Sequence, residues 1–206
     1  MLDIKDLDCV RGDRRLFRDL NLTLDLGSLL QVTGANGSGK TSFLRLIARL
    51  LTPTRGEIRW RGTNIDSLGE EYSAELIYLG HRPALKDELT AEENLQISNG
   101  LDGTPTPEQI VIQALERLGL SGGRKSMPVR LLSEGQKRRV TLARLATCPR
   151  PLWLLDEVLT SLDKEAVELV LSLIREHLDE GGIAVVSTHQ NLNLSVSSFQ
   201  RLELAS

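Results

Sequence analysis

The chain has 206 residues, 40% of them apolar, enough for one domain with a core of its own and a modest insertion. Its 25 Lys plus Arg against 28 Asp plus Glu leave a net charge of −3, a composition that supplies no broad basic face for a nucleic-acid backbone. No apolar run approaches the roughly 20 residues of a membrane span. The start Met1-Leu2-Asp3-Ile4-Lys5-Asp6 is too acidic for a secretory leader, and Cys9 and Cys148 lack both CxxC spacing and His partners, so a cytosolic chain with buried or incidental thiols is expected.

Along the chain, Leu20, Leu22, Leu24 and Leu26 alternate with polar residues before Gly27, the pattern of a half-buried strand in an antiparallel N-terminal sheet. A buried strand over Leu29–Thr33, a Gly-rich loop over Gly34–Gly39 and a helix over Lys40–Leu51 follow without a gap. Thr52-Pro53-Thr54-Arg55-Gly56 ends that helix, and short strands are expected over Glu57–Trp60 and Leu76–Leu79. From about 81 to 147 the pattern turns helical, with capping-box starts at Thr90/Glu93, Thr106-Pro107/Gln109 and Ser133/Gln136. The α/β pattern returns with a strand over Leu152–Leu155, a helix over Lys164–Leu178 opened by Asp163, a Gly181-Gly182 turn, and strands over Ile183–Ser187 and Phe199–Leu204. One domain over 1–206 is expected, with a helical subdomain at about 81–147 and no C-terminal regulatory domain.

Gly34-Ala35-Asn36-Gly37-Ser38-Gly39-Lys40-Thr41 matches GxxxxGK[ST] between a strand and a helix, with Ser42 next in the helix. Such a loop wraps phosphates with backbone N–H groups, Lys40 reaches the β and γ phosphates, and the Thr41 hydroxyl is a ligand for Mg²⁺. A dinucleotide GxGxxG starting at Gly37 fails because Ser42 stands where glycine is required. Leu152-Trp153-Leu154-Leu155-Asp156-Glu157 is an apolar strand ending in two acids. Beside a phosphate loop, Asp156 is expected to hold Mg²⁺ and Glu157 to polarise the attacking water. Taken alone, His189 in Thr188-His189-Gln190 reads as a cap or surface residue; beside the other two strand ends it reads as a γ-phosphate sensor. Leu132-Ser133-Glu134-Gly135-Gln136 opens a basic amphipathic helix, either a second anion site or a capped helix with a solvated face.

The order of phosphate loop, LSEGQ, LLDE, TSLD and STHQ resembles that of ATP-binding-cassette nucleotide-binding subunits over essentially the whole chain. The resemblance implies a P-loop α/β fold with a mostly parallel core sheet, an antiparallel N-terminal β subdomain and a helical insertion. It also implies an ATPase using ATP and Mg²⁺, with Glu157 the catalytic carboxylate, Lys40 and His189 beside it, and Thr160–Asp163 the D-loop. ATP would be sandwiched between the phosphate loop of one copy and Ser133, Gly135 and Gln136 of a second. Leu79-Gly80-His81-Arg82-Pro83, with THQ at the switch, is similar to the ATP-binding subunits of bacterial cytochrome c biogenesis, the haem-exporter branch. That likeness implies integral membrane subunits of a cytochrome c maturation system as partners, a place on the cytoplasmic face of the inner membrane, and release of a haem-loaded chaperone, with no haem bound by this chain and no direct nucleic-acid partner.

Several positions depart from the family pattern. Glu134 replaces the first glycine of LSGGQ, and Val158 stands where a proline commonly follows the catalytic Glu. The adenine-stacking aromatic has no counterpart in Val10-Arg11-Gly12-Asp13-Arg14; Arg11 stacks on adenine through its guanidinium or is part of an exposed basic hairpin. His81 stands in place of a glutamine that reaches Mg²⁺ and water; neutral, it supplies an acceptor to that site, and otherwise it packs or faces solvent at a strand end. Rival readings are another transporter's ATPase subunit, a soluble cassette ATPase acting on ribosomes or DNA, and a P-loop kinase or GTPase, which would lack LSEGQ.

Overall fold

The computed structural model describes residues 1–190, 192, 194 and 196–204. The chain forms two compact units, one from Met1–Tyr78, Arg150–Glu157 and Arg175–Ser206, the other from Leu79–Pro149 and Val158–Ile174.

The first unit holds two sheets. Strands β1 (Leu2–Arg11), β2 (Arg14–Leu24), β4 (Arg55–Trp60) and β5 (Thr63–Asn64) form an antiparallel sheet in the order β2-β1-β4-β5. Leu2, Ile4, Leu7 and Cys9 of β1 point into the core, and the alternation slips one residue at Asp6, where the backbone turns left-handed and the register shifts. Gly56 faces that bulge: a Cβ there would lie 2.4 Å from the Asp6 carbonyl oxygen, so glycine is required. The expected leucine strand is the end of β2, where Leu20 and Leu24 are buried; Leu26 falls beyond it and is exposed.

The second sheet has the order β6 (Leu76–Leu79), β7 (Leu152–Asp156), β8 (Ile183–Ser187), β3 (Ser28–Thr33) and β9 (Ser198–Glu203). Strands β7, β8, β3 and β9 run parallel to their neighbours. β7 and β8 are buried at every residue, which explains their unbroken apolar runs: an interior parallel strand has no solvent face. Helix α1 (Lys40–Ile47) packs Phe43, Leu44 and Ile47 into the same core. It stops short of the expected Leu51 because Arg49 takes a left-handed conformation and Leu50 and Leu51 fold back to the Arg45 carbonyl. The short helices α2 (Ile65–Leu68) and α3 (Glu70–Ser73) have no counterpart among the expected elements; their four-residue length gives no helical periodicity to read.

In the second unit, α4 (Ala91–Leu101), α5 (Glu108–Arg117) and α6 (Glu134–Thr147) pack together. The capping boxes at Thr90/Glu93 and Ser133/Gln136 both form. The one expected at Thr106 does not: its hydroxyl donates to the Thr104 carbonyl and accepts from the buried Asn99, leaving Pro107 at the cap without a side-chain bond. Helix α7 (Lys164–Asp179) begins in this unit, with the Asp163 carboxylate accepting from Ala166 N at 2.8 Å; its end, from Arg175, belongs to the first unit.

There His177 stacks on Trp153 of β7, centroids 3.9 Å apart and rings 5° from parallel, and its Nε2 lies 3.2 Å from the Ile183 carbonyl. Burial pushes the His177 pKa down to about 4. An unfolded histidine near 6.5 binds its proton first, so the unfolded state gains protons over the native one as pH falls from about 6.5 to 4. The stability held above that window is lost through it, by about 1.4 kcal/mol per pH unit and about 3 kcal/mol in all. His177→Phe keeps the stack and removes the titration. Urea unfolding of both proteins between pH 7 and 4 should show the variant losing less stability; parallel pH profiles would exclude His177 as the source.

Candidate active site

Because β7, β8 and β3 are parallel neighbours, their C-terminal ends open on one edge of the first unit. Asp156 pairs with Ser187 in register, and Ser187 with Val32, so the loop after β3, the acids after β7 and Thr188-His189 after β8 come together.

The phosphate loop is built from left-handed glycines, Gly34 (φ 140), Gly37 (φ 79) and Gly39 (φ 107). Gly34 passes so close to its surroundings that a Cβ would lie 2.4 Å from the Leu204 carbonyl oxygen and 2.6 Å from Ser38 Oγ. Gly39, at the N-cap of α1, offers no side-chain cap, so the first-turn N–H groups of Lys40, Thr41 and Ser42 point out of the helix for an anion to accept. Ser38 Oγ is buried with no partner among the described residues. A cradle of donors with an orphaned hydroxyl beneath it suits a polyphosphate. Ala35, Asn36 and Gly37 form the exposed lip of the loop.

Lys40 is 7% exposed, and its Nζ donates to the Gly34 carbonyl at 2.8 Å and lies 3.6 Å from Glu157 Oε1. His189 Nε2 completes the cluster, 3.2 Å from Lys40 Nζ and 3.3 Å from Glu157 Oε1. Glu157 sits at a left-handed φ of 53°, and its N–H is shared between Ser187 O at 3.1 Å and Ser187 Oγ at 3.0 Å, which fixes the turn that carries the carboxylate.

Asp156, at 1% exposure, is held by three hydroxyls: Ser187 Oγ donates at 2.7 Å, Thr41 Oγ1 at 3.2 Å and Tyr78 OH at 3.3 Å. Burial pushes the Tyr78 hydroxyl pKa up, so it remains a donor at neutral pH. A threonine hydroxyl against a buried carboxylate is an all-oxygen pair fitting Mg²⁺, which takes one or two protein ligands and completes its shell with phosphate and water. No cluster of three or more His, Cys, Asp or Glu suited to a metal occurs among the described residues. Sequence reasoning missed Tyr78 and Ser187, whose only signal was a polar group at each strand end.

Ser133, Gly135, Gln136 and His81 belong to the second unit. Ser133 and Gln136 spend their side chains on the capping box that opens α6, with contacts of 2.9 and 3.3 Å. Gly135 packs against Thr160–Asp163: a Cβ on it would lie 3.2 Å from the carbonyl oxygen of Ser161. Arg139, one turn along α6, donates from Nη2 to both Asp163 oxygens at 2.9 and 2.8 Å and from Nη1 to the Leu118 carbonyl at 2.9 Å, which ties the start of α6 to the start of α7. His81 is exposed, and its carbonyl accepts from the Arg138 guanidinium.

Residues 17–160 match the sequence pattern of the ABC transporter family. The chain is 52% identical over 97% of its length to the cytochrome c biogenesis ATP-binding export protein CcmA of Nitrosospira multiformis, covering 96% of that protein. It is 47% identical to the protein of the same name from Dechloromonas aromatica, over 99% of this chain and 100% of the relative. A solved putative ABC transporter ATP-binding protein from Pyrococcus furiosus superimposes with a TM-score of 0.84 at 26% identity, covering 98% and 96% of the two chains. The chain belongs to the ABC transporter family. Its fold is the cassette fold expected from the motif order, and it is a nucleotide-binding ATPase.

Gly34→Ala tests the loop. The strain of a Cβ against the Leu204 carbonyl is expected to weaken ATP and ADP binding about 10-fold or more with the far-ultraviolet circular dichroism unchanged. Wild-type affinity in a folded variant would show that the loop does not need this close approach.

Proposed function

We propose that the chain is the ATP-hydrolysing subunit of a membrane complex in cytochrome c biogenesis. Two copies would sandwich ATP, each nucleotide lying between the phosphate loop of one and Ser133, Gly135 and Gln136 of the other. The observation that carries the chemistry is the Lys40–Glu157–His189 cluster at the mouth of the phosphate loop. Lys40 exchanges its carbonyl partners for the β and γ phosphates, and Glu157 accepts a proton from the water that attacks the γ phosphorus as the bond to the ADP oxygen breaks. His189 steadies the γ phosphate. Thr41 and Asp156 are the residues that would hold Mg²⁺, which when bound would supply charge neutralisation on the phosphate oxygens.

The relatives' names carry the biological assignment, including export. On this reading the partners are integral membrane subunits of the cytochrome c maturation system, and the chain sits peripherally on the cytoplasmic face. Haem is handled by those subunits and not by this chain. No helix among the described residues is long and apolar enough to cross a membrane, which suits a peripheral subunit.

Glu157→Gln is expected to keep ATP binding, slow hydrolysis about 10²-fold or more and accumulate an ATP-bound dimer seen by light scattering. Wild-type turnover would remove Glu157 from the role of base. Lys40→Ala and Ser133→Arg should each fail to dimerise alone, whereas their mixture should form heterodimers, because both defects then fall on one nucleotide and leave the other site intact. A cell carrying only Glu157→Gln at normal abundance should fail to make holo-cytochrome c; normal cytochrome levels would redirect the chain to another transporter.

A further inference from the structure

The hairpin joining β1 and β2 reaches over the phosphate loop. The loop's glycines measure the approach: a Cβ on Gly39 would lie 3.1 Å from Leu16 Cβ and 3.5 Å from Phe17 Cδ1, and a Cβ on Gly37 would lie 3.6 Å from Arg14 Nη1. Leu16 and Phe17 are half-buried, and Phe17 stands edge-on to Phe43 of α1 with ring centroids 5.9 Å apart. These contacts seat β2 on the loop and fix where Arg14 emerges. The Arg14 side chain is exposed, and its guanidinium has no hydrogen bond or ion pair with any described residue. Arg18 and Arg55, on neighbouring parts of the same sheet, both pair with Asp19.

The charge balance of the site gives that guanidinium a task. A nucleoside di- or triphosphate brings several negative charges to a pocket that already contains Asp156 and Glu157, and Lys40 lies 3.6 Å from the latter. Lys40 and a Mg²⁺ held by Thr41 and Asp156 would serve the inner side of the loop, while the side chain that reaches the outer lip at Gly37 is Arg14. A guanidinium offers a planar fork of donors matched to phosphate oxygens, and one with no carboxylate to give up binds at no exchange cost. The turn Val10-Arg11-Gly12-Asp13-Arg14-Arg15-Leu16 contains no aromatic ring to stack on a base.

We infer that Arg14 is a nucleotide-binding residue that closes over the lip of the phosphate loop at Gly37 and holds the polyphosphate from the side opposite Lys40. It grips phosphate rather than base. The inference rests on the phosphate loop being the nucleotide site and adds a second cation to it.

Calorimetric titration of ATP, ADP and GTP into the full chain tests this. Arg14→Ala is expected to weaken all three about 10-fold or more, by a common factor for ATP and GTP, whereas Arg14→Lys retains part of the affinity. Arg15→Ala removes the same charge from the adjacent residue of the hairpin and should change affinity by less than about 3-fold. Thermal unfolding of each variant without nucleotide confirms that the hairpin is intact. Unchanged affinity in Arg14→Ala, equal losses in Arg14→Ala and Arg15→Ala, or unequal losses for ATP and GTP would each overturn the assignment. A wild-type protein that bound no nucleotide would instead strike at the phosphate-loop reading itself.

Discussion

A carboxylate taken out of water must be met by donors, and the first unit is arranged around the way Asp156 is met. Its three hydroxyl partners come from three elements: Thr41 from α1, Tyr78 from β6 and Ser187 from β8. Losing such partners would leave a buried charge uncompensated, a cost of several kcal/mol. The network therefore constrains the register of β7 against β8, and with it the end of β3 where the phosphate loop begins. Ser187 extends the constraint to the chemistry, since the hydroxyl that donates to Asp156 also accepts from Glu157 N.

That arrangement separates two neighbouring acids into different environments. Asp156 is enclosed by hydroxyls, whereas Glu157, turned outward by a left-handed backbone, faces Lys40 and His189. An acid fixed by neutral donors suits cation binding. An acid facing the phosphate loop suits work on a water at the γ phosphate. The division follows from strand geometry: the last residue of β7 is still in the sheet, and the next has left it.

The second unit uses a different device. Its LSEGQ helix start is stiffened by a capping box, by the close packing of Gly135 on Ser161 and by the Arg139–Asp163 ion pair. Ser161 is itself left-handed, so the segment leading into α7 is shaped by its fit to α6. Glu134, the departure from LSGGQ, is exposed and pairs with Lys137 at 3.1 Å, and the capping box of Ser133 and Gln136 forms around it.

Much of the protein was legible in its residues because the signals are local. A GxxxxGKT loop between an apolar strand and an amphipathic helix, unbroken apolar runs for interior parallel strands, and Ser or Thr three residues before Gln or Glu at helix starts each specify backbone within a few positions. Thr106 shows where local reading ends: its hydroxyl was claimed by Asn99, seven residues upstream, and the capping box was lost to a tertiary bond. Tyr78, the donor to Asp156, and Arg14, beside Gly37, had no such signature, since a tyrosine in a strand and an arginine in a hairpin are ordinary there. The sequence by itself determined the long helices and interior strands, the phosphate loop and the family, but not the short helices α2 and α3 or the end of α1. Only the tertiary structure decided which side chains meet around Asp156 and Lys40, because those contacts join residues more than thirty to more than a hundred positions apart, a separation that no periodicity records.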